Sequence, residues 1–145
     1  MFAVDTNVLL YAADKSFSEH VRCRRLLEKW RRQALPWFTT WAIVYEFLRV
    51  STHPRVFTRP WTTREAFRFI EGVLASPSLS VLEHTSRHAA VAAQTLAEIS
   101  ELRGNILHDA HTAILMREHG IRRIYTRDSD FQRFPFLEVI DPLTA

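Results

Sequence analysis

The 145 residues suffice for one domain with a single core, and 47% hydrophobic against 24% charged residues is typical of a folded chain and excludes a disordered one. No apolar run reaches the roughly 18 residues of a membrane-spanning helix, no signal peptide is evident, and the lone Cys23 cannot form an internal disulfide, so we expect one cytoplasmic domain over residues 1–145. The net charge is +3, and 17 of the 19 basic residues are arginine.

The first half of the chain predicts two strands and four helices. The apolar run Phe2–Val4 predicts a strand whose carboxyl end carries Asp5. Apolar residues then recur at helical spacing, and Pro36 and the His53-Pro54 pair interrupt the pattern. The elements after the first strand are helices over Thr6–Ala13 and 16–34, a strand over 37–39, and helices over 41–50 and about 63–75.

The second half continues the alternation of strands and helices. Its elements are a strand over Leu79–Leu82, helices over 84–103 and 105–119, and strands over 124–126 and 137–140. This alternation favours an α/β fold with a largely parallel sheet, in which ligands bind beyond the carboxyl ends of the strands. Asp5 directly follows the first strand and Asp128 follows the fourth by two residues, so we expect both acids at the same edge of the sheet.

Glu46 is an acid in an otherwise apolar helix. Within residues 41–50 the only charged side chains are Glu46 and Arg49. A helix that is apolar on all faces is usually buried, and a carboxylate is costly to bury unless it is paired or bound to a metal. Two interpretations stay open: an intrahelical Glu46–Arg49 pair that reaches solvent, or a Glu46 side chain that points into a polar site.

Three further aspartates have ordinary structural explanations when each is taken alone. Asp109 lies near the start of a helix, where an acid balances the helix dipole, but its neighbours Ile106 and Ala113 place it beside the apolar stripe. Asp128 and Asp130 are typical turn residues. Because four of the six aspartates in the chain occur at these positions or at Asp5, their convergence on one site is the stronger interpretation.

A cluster of carboxylates predicts a divalent cation. Carboxylate oxygens suit hard ions such as Mg²⁺ or Mn²⁺, which offset the mutual repulsion of the acids and activate water for attack on a phosphodiester. Without the five site acids, 11 acids remain against 19 bases. Codon usage alone would explain the abundant arginine, but a basic shell around an acidic pocket also suits a polyanionic substrate. The five acids are Asp5, Glu46, Asp109, Asp128 and Asp130.

Four motifs occur in the order seen in PIN-domain nucleases. They are VDTN at 4–7, VYEFLRV at 44–50, HDAHTA at 108–113 and TRDSDFQRF at 126–134. Over its whole length the chain resembles the VapC-type toxins of prokaryotic toxin–antitoxin pairs. The segments STHPRVF at 51–57 and VIDPL at 139–143 resemble the VapC branch abundant in mycobacteria.

The resemblance implies a three-layer α/β/α fold with a mainly parallel five-stranded sheet. It also implies a Mg²⁺- or Mn²⁺-dependent endoribonuclease that uses metal-activated water, a homodimer, and a cognate VapB-like antitoxin that blocks the site. Whether the RNA substrate is tRNA, rRNA or mRNA stays open. An RNA-processing nuclease outside a toxin pair, or a non-catalytic RNA- or protein-binding module, remains the alternative.

The same resemblance assigns roles to individual residues. Asp5, Glu46, Asp109 and Asp128 match the acidic quartet of the family, and Asp130 matches a frequent fifth acid; we expect Asp5 and Asp109 to be the principal metal ligands. The residues expected to orient these acids are Asn7 and Thr126. The candidate RNA contacts are Arg49, Arg127 and Arg133.

Histidines and tryptophans offer weaker alternatives. His108 and His111, three residues apart on a helix, would serve a metal-free acid–base nuclease, whereas a zinc site on the same pair would need two further ligands. Trp37 and Trp41 are expected in the core, and Trp61, in a loop after proline, is the better candidate for a partner contact.

A phosphotransfer domain is disfavoured because no lysine follows position 29.

Overall fold

The computed structural model describes all 145 residues as a five-stranded sheet with helices on both faces. The strands are β1 (Phe2–Val4), β2 (Trp37–Thr40), β3 (Leu79–Leu82), β4 (Arg123–Tyr125) and β5 (Glu138–Ile140). The helices are α1 (Thr6–Ala13), α2 (His20–Arg32), α3 (Trp41–Ser51), α4 (Thr63–Leu74), α5 (His88–Glu98) and α6 (Ile106–Glu118), with a 3₁₀ helix over Ser129–Arg133. No helix is both long and apolar enough to cross a membrane.

The sheet is entirely parallel and has the strand order β3-β2-β1-β4-β5. The predicted five-stranded α/β fold is therefore confirmed. Because β1 is central and its neighbours run parallel to it, the residues that follow β1, β2 and β4 meet at one edge of the sheet. This edge positions the site described below.

Alternation along β1 divides the core into two layers. Val4 packs into a cluster of 17 buried residues that involves α1 to α4, whereas Ala3 packs into a cluster of 10 that involves α6 and the 3₁₀ helix. Successive strand side chains point to opposite faces of a sheet, so each β1 residue contributes to one core only. The result is the three-layer α/β/α arrangement that the resemblance implied.

Two predicted helices were too long. The helix expected over 16–34 begins only at His20, because the Asp14 carboxylate accepts hydrogen bonds from the Ser16 backbone N–H and hydroxyl and stabilises a turn there. The helix expected over 84–103 is confined to His88–Glu98. Its predicted C-terminal part is not helical because the backbone is already extended at Ile99 and then turns left-handed at Glu101, with a φ of 62° that a right-handed helix cannot contain.

Helix α3 is less buried than its apolar sequence predicted. Ile43, Val44 and Phe47 face the core, but Trp41 and Tyr45 are 44% and 68% exposed. The prediction that Trp41 is a core residue was therefore wrong. Apolar residues all round a helix obscured which side packs, and the exposed side is the one that carries the Glu46 acid.

Of the other two tryptophans considered in the sequence, Trp37 lies in the core and the partly buried Trp61 packs against it. Trp37 is fully buried, as expected. Trp61 packs against the first core cluster, with its ring about 6 Å from those of Phe47, Phe57 and Phe69. Packing within this aromatic group accounts for Trp61 without a partner.

Candidate active site

Asp5 lies where β1 ends and α1 begins. Its Oδ1 accepts a hydrogen bond from the Thr6 backbone N–H at 2.8 Å and so caps α1. Its Oδ2 accepts hydrogen bonds from the Thr126 hydroxyl at 2.7 Å and from Asn7 Nδ2 at 3.0 Å. The residue is only 6% exposed. These three contacts hold a buried carboxylate in one orientation at the carboxyl edge of the sheet.

Thr126, directly after β4, connects this acid to the next one. While its hydroxyl donates to Asp5, the same oxygen accepts hydrogen bonds from Asn7 Nδ2 at 3.0 Å and from the Asp128 backbone N–H at 2.9 Å. Asn7 Oδ1 in turn accepts from the Arg127 backbone N–H at 3.2 Å. The structure therefore places Asn7 and Thr126 between the two strand ends, in contact with the acids that we expect them to orient.

Glu46 reaches the same edge from α3. Its Oε2 accepts a hydrogen bond from the Thr6 hydroxyl at 3.0 Å, and its Oε1 lies 3.8 Å from the Arg49 guanidinium. The Glu46 side chain is 47% exposed, so a pair at that distance contributes little stability. Both interpretations of the sequence hold in part: Glu46 has a loose arginine neighbour and also faces a polar site.

The remaining three acids form one group. Carboxylate oxygens of Asp109, Asp128 and Asp130 all lie within 4.8 Å of one another. Asp109 accepts no hydrogen bond from the protein, whereas Asp128 Oδ1 accepts from the Asp130 backbone N–H at 2.9 Å and caps the 3₁₀ helix. Asp128 thus serves the turn with one oxygen, and its other oxygen accepts no hydrogen bond from the protein.

The carboxylates are close enough to raise one another's pKa values. Burial, opposed by hydrogen bonds from Thr126 and Thr6 and reinforced by neighbouring acids, raises the pKa of Asp5 to about 6. Burial also raises the pKa of Asp109, to about 8, and the charges of the four other carboxylates add to this effect. Such shifts show that the metal-free site disfavours full ionisation, which a bound cation would restore.

The donor set fits a hard divalent cation. Every acid of the cluster offers carboxylate oxygen, and Asp109 accepts no hydrogen bond within the protein, so its oxygens are available as ligands. A pocket of about 340 Å³ opens beside Asp5 and Asp109, large enough for an ion and part of a substrate. It is lined by Asp5, Ala42, Ile43, Tyr45, Glu46, Arg49, His108, Asp109 and Thr112.

The three arginines predicted to contact RNA differ in their surroundings. Arg49 lines the pocket and is 69% exposed. Arg127 pairs with Glu19 at 3.3 Å and with Asp141 at 3.4 Å. Arg133 donates a hydrogen bond to the Ser100 carbonyl at 2.9 Å. Arg49 is therefore the arginine that lies at the pocket, and its guanidinium has only a loose partner, Glu46 at 3.8 Å.

Sequence reasoning assigned no role to two residues of the site, Thr6 and Thr112. Thr6 bonds both Asp5 and Glu46, and its position inside the VDTN motif was the available indication. Thr112 lines the pocket one helical turn after Asp109, where i, i+3 spacing would have placed it. His108 also lines the pocket, but His111 instead contacts His84. The two histidines thus diverge, which argues against a shared acid–base role.

The Thr126 hydroxyl allows a direct test of how the buried acid is held. Thr126→Val keeps the shape of the side chain but removes a donor to Asp5 and an acceptor for Asn7 and the Asp128 N–H. We expect the free energy of unfolding in urea to fall by about 1–3 kcal/mol, as for other buried hydrogen-bonding groups left without a partner. Thr126→Ser retains the hydroxyl and serves as the control. Equal stability of the two variants would contradict this role.

Comparison with known proteins identifies similar chains. Residues 2–137 match the family described as PIN domain. Ribonuclease VapC43 of Mycobacterium tuberculosis is 34% identical over 143 residues, covering 99% of this chain and 96% of that protein. Among solved structures, M. tuberculosis VapC20, described as a sarcin–ricin loop cleaving toxin, superposes with a TM-score of 0.69 at 22% identity, covering 97% of this chain and 100% of that one. VapBC2 of Rickettsia felis, bound to promoter DNA, superposes at 0.66 with 16% identity and 96% of both chains.

Proposed function

The chain belongs to the PIN-domain family, in the branch of the VapC ribonucleases, and from that premise we propose that it is a divalent-metal-dependent endoribonuclease and the toxin of a toxin–antitoxin pair. The observation that supports metal-dependent RNA cleavage is the carboxylate cluster at the carboxyl edge of the sheet. Two of its members, Asp5 and Asp109, have pKa values raised to about 6 and about 8. A site in which acids are held together against their own repulsion supports cation binding.

Asp5 and Asp109 are the principal metal ligands in this proposal. Asp5 is held by three side-chain and backbone donors, whereas Asp109, which is half-buried and lines the pocket, accepts no hydrogen bond from the protein. Glu46, Asp128 and Asp130 would complete the ion's surroundings directly or through water. When bound, Mg²⁺ or Mn²⁺ would supply the Lewis acidity that activates water and stabilises charge on the phosphodiester.

The protein's own residues orient the acids and hold the substrate. Thr6 donates its backbone N–H to Asp5 and its hydroxyl to Glu46, so one residue sets the spacing of two acids. Arg49, exposed at the pocket, is placed to contact a phosphate of the RNA. Attack of water on phosphorus then breaks the bond to the 3′ oxygen, leaving a 3′-hydroxyl and a 5′-phosphate.

The proposed substrate and protein partner are inferred from the similar proteins. VapC43 is named a ribonuclease, VapC20 is described as a toxin, and the Rickettsia felis structure is named VapBC2, so we propose an RNA substrate and a VapB-like antitoxin for this chain. A homodimer and a cytoplasmic location belong to the same proposal. A small open reading frame directly upstream of the gene would distinguish a toxin from an RNA-processing nuclease of the same family.

Cleavage of total RNA tests the enzymatic proposal. The purified protein should cut RNA in the presence of Mg²⁺ or Mn²⁺, lose this activity in EDTA, regain it when Mg²⁺ is added in excess, and leave 5′-phosphate ends. Cleavage that persists in EDTA but disappears in His108→Gln would instead support a metal-free histidine mechanism. Absence of cleavage under all these conditions would favour a binding module.

A further inference from the structure

Three histidines converge outside the acidic pocket. His84 lies in the loop after β3, His88 is the first residue of α5, and His111 lies in the second turn of α6. The Nε2 atoms of His84 and His111 are 2.8 Å apart, and one ring nitrogen of each histidine lies within 4.8 Å of those of the other two. None of the three lines the acidic pocket. Imidazoles from three separate segments thus meet at one point.

A buried carboxylate orients one of these rings. Glu118, at the end of α6, has a fully buried side chain whose Oε2 lies 2.6 Å from His88 Nδ1. Its Oε1 accepts from the Thr85 backbone N–H at 2.9 Å and from the Thr85 hydroxyl at 2.7 Å. Burial raises the pKa of Glu118, but the hydrogen bonds from His88 and Thr85 outweigh it and lower the pKa to about 2.

The Glu118 contact determines which nitrogen of His88 remains available. An ionised carboxylate only accepts hydrogen bonds, so His88 Nδ1 carries a proton, and in the neutral ring Nε2 is the nitrogen with the lone pair. A histidine whose second nitrogen donates to a carboxylate is the usual arrangement of metal-binding histidines, because the carboxylate orients the ring and makes it more basic.

The spacing is close to that of a tetrahedral metal site. Zinc binds imidazole nitrogen at about 2.0–2.1 Å, so two nitrogens on one ion lie about 3.3 Å apart. The His84 and His111 nitrogens, at 2.8 Å, would have to separate by about half an ångström. His84 is exposed and belongs to a loop, so its ring can move that far, and solvent reaches the cluster.

We propose that His84, His88 and His111 form a second metal site that binds one Zn²⁺ ion per chain, with water as the fourth ligand and Glu118 positioning His88. Imidazole ligands select ions of this class over Mg²⁺, whose preferred oxygen donors are at the other site. The ion would connect the loop after β3 with α5 and α6, and would therefore stabilise the fold. This proposal stands independently of the proposed ribonuclease activity.

The test is titration of EDTA-treated, dialysed protein with ZnCl₂ by calorimetry, in buffer that contains saturating Mg²⁺ to occupy the acidic site. We expect one Zn²⁺ per chain, loss of this binding in His84→Gln and in His111→Gln, and binding about 10–100-fold weaker in Glu118→Gln. His53→Gln, a histidine outside the cluster, and Asp109→Asn, at the acidic site, should both bind Zn²⁺ as the wild type does.

Thermal unfolding provides a second measurement on the same proteins. Because a ligand that binds only the folded state stabilises it, ZnCl₂ should raise the Tm of wild type and of His53→Gln but not of His84→Gln. His84 is exposed, so its replacement should leave the fold intact. The proposal is overturned if wild type binds no Zn²⁺ in Mg²⁺, if binding survives in both His84→Gln and His111→Gln, or if Asp109→Asn abolishes it. In those cases the histidines form only a hydrogen-bonded cluster or the ion occupies the acidic site.

Discussion

Replacing Asp109 with asparagine should lower the rate of RNA cleavage by about a thousandfold or more and should not destabilise the metal-free protein. The loss follows from the proposed role of Asp109 as a principal ligand. An amide carries no charge and offers one weak donor oxygen, so the ion would be bound more weakly and held less rigidly. Asp109 is the best position for this substitution because its carboxylate accepts no hydrogen bond that asparagine would disrupt.

The stability of Asp109→Asn distinguishes a functional acid from a structural one. Burial, reinforced by the charges of four other carboxylates, raises the pKa of the half-buried Asp109 to about 8. A neutral isostere removes that repulsion, so the unfolding free energy in EDTA at pH 8 should equal or exceed that of wild type. Acids that are held close together to bind a ligand commonly lower the stability of the ligand-free protein.

The matched control is Asp14→Asn. Asp14 is an aspartate outside the pocket whose Oδ1 accepts from the Ser16 backbone N–H, a contact that an asparagine oxygen preserves. The Asp14→Asn variant should therefore cleave RNA at the wild-type rate. Retention of cleavage by Asp109→Asn, or a marked fall in its metal-free stability, would contradict the ligand assignment.

Much of the site could be predicted because the positions of its acids follow from the strands and helices that directly precede or contain them. An acid directly after an apolar strand must lie at the carboxyl edge of a parallel sheet, and this placed Asp5 and Asp128 before any contact was known. The spacing of Asp109 and Ala113 on one helix similarly placed Asp109 beside packed residues. These predictions needed only the direction of the strands and the period of a helix.

The parts that sequence reasoning did not predict depend on contacts between distant segments. Which side of α3 packs is decided by α1 and α4, so Trp41 was assigned to the core when it lies at the surface. Arg127 pairs with Glu19, 108 residues away. His111 meets His84 only because α6 packs beside the end of β3. Periodicity along one element carries no information about such pairs.

In EDTA, the stability of the wild-type protein should decrease as pH rises from about 4 to about 8. Asp109 and Asp5 have folded-state pKa values of about 8 and about 6, against an ordinary value of 3.8 in an unfolded chain. Between these values the folded state keeps protons that the unfolded state has released. The unfolding free energy therefore falls with pH, by an amount on the order of a few kcal/mol for the pair.

Comparing the wild type with Asp109→Asn isolates the contribution of Asp109 to the pH dependence of stability. Burial and the neighbouring His84 lower the pKa of His111, which makes stability rise with pH near neutrality, but this contribution is the same in wild type and Asp109→Asn. Urea unfolding of both proteins in EDTA should thus show a stability difference that grows in favour of Asp109→Asn between pH 5 and pH 8. Saturating Mg²⁺ should reverse the order at pH 8, because the ion binds the ionised carboxylates of wild type and offsets their repulsion. A difference independent of both pH and Mg²⁺ would show that the carboxylates are not coupled and do not share an ion.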